Sequence, residues 1–225
     1  MMTNSRGRTG WRAIRWSRRG ALAALMLGLV LPSAATARGS TGAVATPRVI
    51  ATIPVGRDPT GVAVDPAAHR AYVADVGGHD DSGSLSVLDT RLRAVVDTLI
   101  TGDAPTSVAV DPAAHRAYVT NSDNSDSGTV SVLDTRRDTV VATVDVGASP
   151  AGVAVDPAAH RAYVAKLANN SLPVLDTRRT VVVATIPLGS GPDAGPDGVA
   201  VDPAAHRAYV TLYSNNSLSV LDTGM

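Results

Sequence analysis

The chain has no cysteine, no phenylalanine and no glutamate, only one lysine (Lys166), and two tryptophans, Trp11 and Trp16, both near the N-terminus. Without cysteine there are no disulfides, no thiolate metal sites, no haem attached through Cys-x-x-Cys-His and no lipoprotein anchor. Stability must come from packing, and beyond the first 37 residues Val, Ala and Tyr must supply it. Such a composition is poor in helix formers and rich in β-branched residues, which suit pleated, buried surfaces.

Lysine plus arginine balance aspartate at 20 each, but the balance is uneven along the chain. Arg6, Arg8, Arg12, Arg15, Arg18 and Arg19 precede residue 38, with no carboxylate among them. The remainder carries 14 Lys and Arg against 20 Asp, an excess of six negative charges. An acidic, aromatic-poor body repels phosphate backbones, so no nucleic-acid partner is expected.

Residues 1–37 have the parts of an export signal: the arginine-rich start, an apolar run over 21–31, and Ala35-Thr36-Ala37 as a small-residue cleavage site. The run falls short of the roughly 20 residues a membrane helix needs, so no stable transmembrane span is expected. Ser17-Arg18-Arg19-Gly20-Ala21-Leu22 resembles a twin-arginine signal, departing from it at Ala21, where a bulky aromatic is usual. The expected location is extracellular or in the cell envelope. Residues 38–47, rich in Gly, Ser, Thr and Ala, read as a flexible lead-in to a domain over 48–225.

That domain repeats itself. Val-Ala-Val-Asp-Pro-Ala-Ala-His-Arg-Ala-Tyr-Val begins at Val62, Val108, Val153 and Val199, with intervals of 46, 45 and 46 residues. This period belongs to propeller blades. Each repeat offers four short strand patterns, A to D, which in the second repeat are 107–111, 116–121, 129–134 and 139–146. Asp-Pro-Ala-Ala-His makes a tight A-to-B turn, in which proline presets φ and aspartate bonds the backbone ahead of it. Variation gathers between B and C, over 75–83, 122–128, 166–170 and 212–216, as expected if those loops share one face.

Tyr118-Val119-Thr120-Asn121 spells the signature of the YVTN-type β-propeller repeat family, which the chain resembles over nearly all of 48–223. The other copies read Tyr72-Val73-Ala74-Asp75, Tyr163-Val164-Ala165-Lys166 and Tyr209-Val210-Thr211-Leu212. Ser-Val-Leu-Asp-Thr from Ser86 and Ser131, its variant from Pro173, and Val-Ala-Thr-Ile-Pro around Ala184 extend the likeness. The resemblance implies an all-β propeller of four-stranded blades, often on an exported or cell-surface protein. It implies no single activity, since its members include binders, lyases, lactonases and redox-enzyme domains.

About four blades are expected. Residues 48–55 match a D strand with no A, B or C before it, while the last repeat reads only through C at Asp222. This N-terminal strand could complete the last blade and remove two sheet edges. Four blades must each fill about a 90° wedge, and a core without Phe or Trp fills wide wedges poorly. A closed four-bladed monomer, two chains sharing an eight-bladed ring, and an open arc that self-associates therefore all remain in play.

Antiparallel adjacency places Arg70 near Asp89, Arg116 near Asp134, Arg161 near Asp176 and Arg207 near Asp222. With the turn residues Asp65, Asp111, Asp156 and Asp202 and the strand-B tyrosines Tyr72, Tyr118, Tyr163 and Tyr209, these read as structural. His69, His115, His160 and His206 form no metal ring, because their turns radiate with the blades, beyond the ~2.0–2.1 Å reach of a metal–nitrogen bond.

Ligand-face candidates lie instead in the B-to-C and D-to-A loops: Asp75, His79, Asp80, Asp81, Asp123, Asp126, Asp193, Asp197 and Tyr213, with Asp58 and Asp103 alongside. The run 121–128 sets oxygen ligands at alternating spacing, with Asp123 and Asp126 as the calcium candidates, though it lacks the closing Glu and central Gly of an EF-hand. No other cofactor is expected, and no catalytic residue is assigned. The function that follows is an exported, non-catalytic binding or scaffold propeller for a protein or cell-envelope ligand. A metal-dependent lyase or lactonase-like hydrolase on the same scaffold is the alternative, and a truncated array needing self-association a further one.

Overall fold

Each Val-Ala-Val-Asp-Pro-Ala-Ala-His-Arg repeat folds into a strand, a tight turn and a second strand. In three copies the turn aspartate, almost fully buried in two of them, caps the two amides that follow it: Asp65 Oδ1 accepts from Ala67 N and Ala68 N at 3.0 Å, and Asp156 and Asp202 do the same for their own turns. The histidine closing each turn is left-handed, with φ between 52° and 55°. Its carbonyl accepts the amide of Thr90, Thr135, Thr177 or Thr223 at 2.9–3.1 Å, fastening the A-to-B turn to the end of strand C. The four histidines are thus turn residues whose main chain is committed.

The computed structural model describes residues 46–77, 83–122, 127–189 and 194–224. The expected export signal over 1–37, and 38–45 of the lead-in, lie outside the described residues. Among the described residues no helix is long and apolar enough to cross a membrane.

The described strands form four antiparallel sheets. The first holds β1 (Pro59–Asp65), β2 (Arg70–Asp75), β3 (Ser84–Asp89) and β4 (Ala94–Ile100). In the second are β5 (Pro105–Asp111), β6 (Arg116–Asn121), β7 (Thr129–Asp134) and β8 (Thr139–Asp145). The third comprises β9 (Pro150–Asp156), β10 (Arg161–Lys166), β11 (Ser171–Asp176) and β12 (Val181–Pro187). The fourth has three strands, β13 (Pro196–Asp202), β14 (Arg207–Leu212) and β15 (Ser217–Asp222). Each sheet is a blade in which neighbours in sequence pair in space.

Blades stack through their inner strands, β1 on β5, β5 on β9 and β9 on β13. The approach is close enough to require glycine: a Cβ on Gly152 would stand 2.6 Å from the carbonyl oxygen of Asp197 in the next blade. Between the first two blades, Tyr72, Leu85 and Val87 of one pack with Val108, Val119 and Leu133 of the other. Corresponding residues build the second and third interfaces. Apolar area removed from water is the main stabilising contribution here, at about 25 cal/mol per Å².

At the two ends of the row this burial stops. Val108 and Val153 are each 7% exposed, whereas their first-blade counterpart Val62 is 66% exposed. Leu218 and Val220 of the fourth blade are 55% and 53% exposed, although their counterparts Leu85 and Val87 are fully buried. Among the described residues the blades therefore form an open row, so that of the three arrangements the sequence leaves in play the four-bladed ring closed on itself is not the one adopted.

Residues 48–55 form no strand in the single chain and do not join β15. Their C-terminal end is held to the first blade, at the far end of the row from β15: Gly56 N donates to Ser86 Oγ, and Val76 N and Gly77 N donate to the carbonyls of Asp58 and Arg57, all at 3.2 Å.

Candidate functional site

The two ends of the blades differ in chemistry. At the A-to-B turn end, charges partner one another. Strand register sets Arg70 opposite Asp89, Arg116 opposite Asp134, Arg161 opposite Asp176 and Arg207 opposite Asp222. The first three pairs close to 2.9, 3.8 and 3.3 Å. Asp134 also takes Arg137 at 2.7 Å. Arg178 Nη2 lies 2.6 Å from His160 Nε2, beside an open hollow of about 430 Å³ lined by Ala158, Ala159, Arg161, Asp176 and Arg179. These contacts tie turns together, and partly exposed pairs contribute roughly 0.2–1 kcal/mol each.

Turn amides hold the strand-C carboxylates below their ordinary pKa of 3.8, led by Leu92 N at Asp89, Arg136 N at Asp134 and Arg179 N at Asp176, with arginine charge adding to the effect. A carboxylate depressed in the folded state stabilises it above the unfolded value and loses that contribution as pH falls through the folded one. Urea midpoints are therefore expected to be flat near pH 6 and to fall below about pH 4, with carboxyl carbon NMR placing these three groups among the last to protonate. Ordinary titration of all three near 3.8 would contradict the turn geometry.

At the opposite end, each strand B stops at one equivalent position occupied by four different residues, Asp75, Asn121, Lys166 and Leu212. All four are buried. Asp75 Oδ2 accepts from Ser86 N at 3.1 Å and from Ser86 Oγ at 2.6 Å. Asn121 Nδ2 donates to Ser131 Oγ at 2.9 Å and Thr129 Oγ1 at 3.1 Å, while Ser131 Oγ donates to the Thr101 carbonyl. Lys166 Nζ donates to the Val146 carbonyl at 3.3 Å. In the second and third blades the strand-B side chain, or the serine it holds, reaches a D-to-A segment. Beneath the loops of the first three blades lies a floor of polar locks, whose cost of burial these bonds offset in part, since Asp75 Oδ1 and Asn121 Oδ1 are buried without a partner.

Above the floor the surface is acidic. Asp58, Asp103, Asp145 and Asp197 are exposed, and Tyr213 is 78% exposed at the start of a 3-10 turn over Tyr213–Asn215. Of the residues singled out from sequence, Asp197 and Tyr213 stand in water, while Asp75 is a buried lock. His79, Asp80, Asp81, Asp123, Asp126 and Asp193, and with them the calcium candidates, lie outside the described residues. Among the described residues, no three His, Asp or Glu stand together so as to hold a metal ion. Sequence reasoning missed the roles of Asn121, Ser131, Ser86 and the single lysine. The available signal was their position, since Asn121 and Lys166 end strand B and Ser86 and Ser131 are each the third residue of strand C.

Solved structures share the fold of these blades. The chain superposes over 78% of its length on Kuenenia stuttgartiensis hydrazine synthase, with a TM-score of 0.62 and 28% identity. Over 68% of its length it superposes on the Dos1 propeller, with a TM-score of 0.56 and 18% identity.

The chain is a β-propeller.

It spans about half of the first structure's chain, 49%, and 40% of the second's. No protein-family model matches the chain, and no curated protein does. The propeller's loop end, with unequal residues above a locked floor, is the candidate functional face.

Proposed function

We propose that this chain is an exported, non-catalytic propeller of the YVTN type that uses its B-to-C and D-to-A loop end to bind a protein or cell-envelope ligand. The observation that carries this reading is the contrast between the ends. The A-to-B end repeats its residues and pairs arginine with aspartate in three of the four blades, whereas the loop end varies from blade to blade and exposes Asp58, Asp103, Asp145 and Asp197. The exposed side chains of this end are mostly acidic, with Arg57 beside Asp58 the exception, and a predominantly negative surface selects cationic partners: a basic protein segment, or an envelope polymer bearing amines or bound cations. Export rests on the signal-like residues 1–37, and calcium at Asp123 and Asp126 belongs to the same reading as a local loop ligand. Binding is favoured over catalysis by the burial of Asp75, whose Oδ2 is bonded to Ser86 and which is sealed from any ligand at the surface.

A thermal-shift screen of the purified protein against calcium, other divalent cations, basic polypeptides and envelope polymers tests the proposal, because a ligand that binds only the folded state raises its stability. A cationic ligand is expected to raise the melting temperature, and Asp58→Asn, Asp103→Asn and Asp197→Asn together are expected to weaken it roughly tenfold or more, with further weakening by salt. A shift that survives the triple substitution and high salt, or no shift with any cationic probe, would sink the loop-face reading.

A further inference from the structure

The open ends of the row are the two halves of an interface the chain already makes three times. The free face of the fourth blade presents Tyr209, Leu218 and Val220, which repeat Tyr72, Leu85 and Val87. On the first blade the free face presents Val62, Val64 and Val73, repeating Val108, Val110 and Val119. In the interface between the first two blades these two sets are packed together, and at the ends of the chain both are uncovered.

Polar groups follow the same logic. Each buried strand-B tyrosine stands near the threonine that follows strand C of the next blade, Tyr72 near Thr135, Tyr118 near Thr177 and Tyr163 near Thr223, though the hydroxyls of Tyr72 and Tyr118 make no close hydrogen bond. Among the described residues no blade covers Tyr209, and Thr90, the counterpart of Thr135 on the first blade, is exposed. Thr120 Oγ1 donates across its interface to the Ala151 carbonyl at 2.7 Å, and Thr211 holds the same position on the open face. Asp197 departs from the pattern, standing where Thr60 and Thr106 donate to the following blade.

The strands also complement one another. Residues 49–56, Val-Ile-Ala-Thr-Ile-Pro-Val-Gly, repeat 182–189, Val-Val-Ala-Thr-Ile-Pro-Leu-Gly, most of which form β12. They carry no ladder, and Val49 and Ile50 are exposed. Gly56 enters the first blade through Ser86 Oγ, as Thr101 enters the second through Ser131 Oγ, so 48–55 lie where the D strand of a preceding blade belongs. Among the described residues β15 lacks an outer neighbour.

We propose that two copies of this chain close head to tail into one eight-bladed ring, the segment 48–55 of each serving as the outer strand of the other's fourth blade. The register follows from β11 and β12, where Leu172 faces Ile186 and Val174 faces Ala184. Leu218 then faces the partner's Ile53, and Val220 the partner's Ala51. Repetition of one heterologous interface gives either a closed ring or an open filament. Eight blades need a wedge of about 45° each, half that of four, and a core of Val, Ala and Tyr with glycine at the inner strands suits the narrower wedge. This inference does not rest on the loop-face ligand, although Asp197 belongs both to that face and to the open end of the fourth blade.

Two measurements test it. Light scattering of the purified protein is expected to give twice the mass of one chain, and a monodisperse monomer or a ladder of polymers would overturn the ring. Because the chain is free of cysteine, single-cysteine variants report which faces meet. Val62→Cys and Leu218→Cys, both at exposed positions of the single chain, are expected to cross-link through a short bismaleimide when co-expressed and to fail when each is treated alone. Cross-linking within Val62→Cys alone, or none in the co-expressed pair, would refute the head-to-tail contact. Should either variant lose its far-ultraviolet circular dichroism, Thr90→Cys with Tyr209→Cys reads the same interface from its polar side.

Discussion

Replacing Tyr118 by alanine is expected to cost about 3–5 kcal/mol of stability, in the range for removing a large buried aromatic. Tyr118 is 1% exposed and lies in the cluster joining Val130, Val132 and Val144 of the second blade to Val153, Val164 and Leu175 of the third. With no Phe or Trp in the domain to spread into the space, the void would be lined mainly by Val and Ala, with Leu175 the one longer side chain, and would collapse only in part. Domains of this size are stable by only about 5–15 kcal/mol, and stacked repeats depend on contacts between neighbours. The loss should therefore both lower the urea midpoint and broaden the transition as the halves uncouple. A midpoint within about 1 kcal/mol of wild type would mean that the interface does not hold the blades together. Tyr209→Ala makes the matching control. Its ring is only half-buried in the single chain, so its cost should be much smaller for an isolated chain and approach that of Tyr118→Ala if the ring of two forms.

Raising the pH should destabilise the protein over a window where few other groups titrate. Burial pushes the Tyr72 hydroxyl up to about 12, with the negative charge of Asp138 adding to it, and burial likewise raises Tyr118 and Tyr163. The unfolded phenol ionises near 10, so between about pH 10 and 12 the native state binds more protons than the unfolded one. Stability is then fully present below pH 10 and falls as pH rises through the folded value, by an amount of order 2–3 kcal/mol for Tyr72. Arginine stays charged throughout this range. Phenolate absorbance should resolve tyrosines that ionise only above pH 11 or on unfolding, and urea midpoints at pH 9, 10, 11 and 12 should fall in step. Ionisation of all five tyrosines as one class near pH 10, with the fold intact, would show that Tyr72 is not sealed between blades.

Much of the architecture is legible in the residues because repetition turns local rules into global ones. The Asp-Pro-Ala-Ala-His turn joins adjacent strands, so Arg70 opposite Asp89 follows from antiparallel pairing alone, and the same register recurs in the other blades. The candidate site is less legible. Asp75 reads as a loop carboxylate at a variable position, yet it is buried beneath a D-to-A crossing that joins it from 19 residues earlier, at Gly56. Lys166 opens a variable segment in the sequence, yet it reaches the carbonyl of Val146 across the same kind of crossing. Neither contact involves a neighbour in sequence, so no local pattern encodes it.

Residue type and spacing by themselves determined four strands per full repeat, the turn chemistry, the ion-pair register and the use of small residues at the inner strands, because each depends on contacts within about one blade. The tertiary structure alone decided which tyrosines are sealed, which aspartates are free and where burial stops. Val62 and Val108 are the same residue in the same motif, yet one is exposed and the other buried. The difference is whether a blade stands in front of it, and burial between blades is a property of the stack that no single repeat contains.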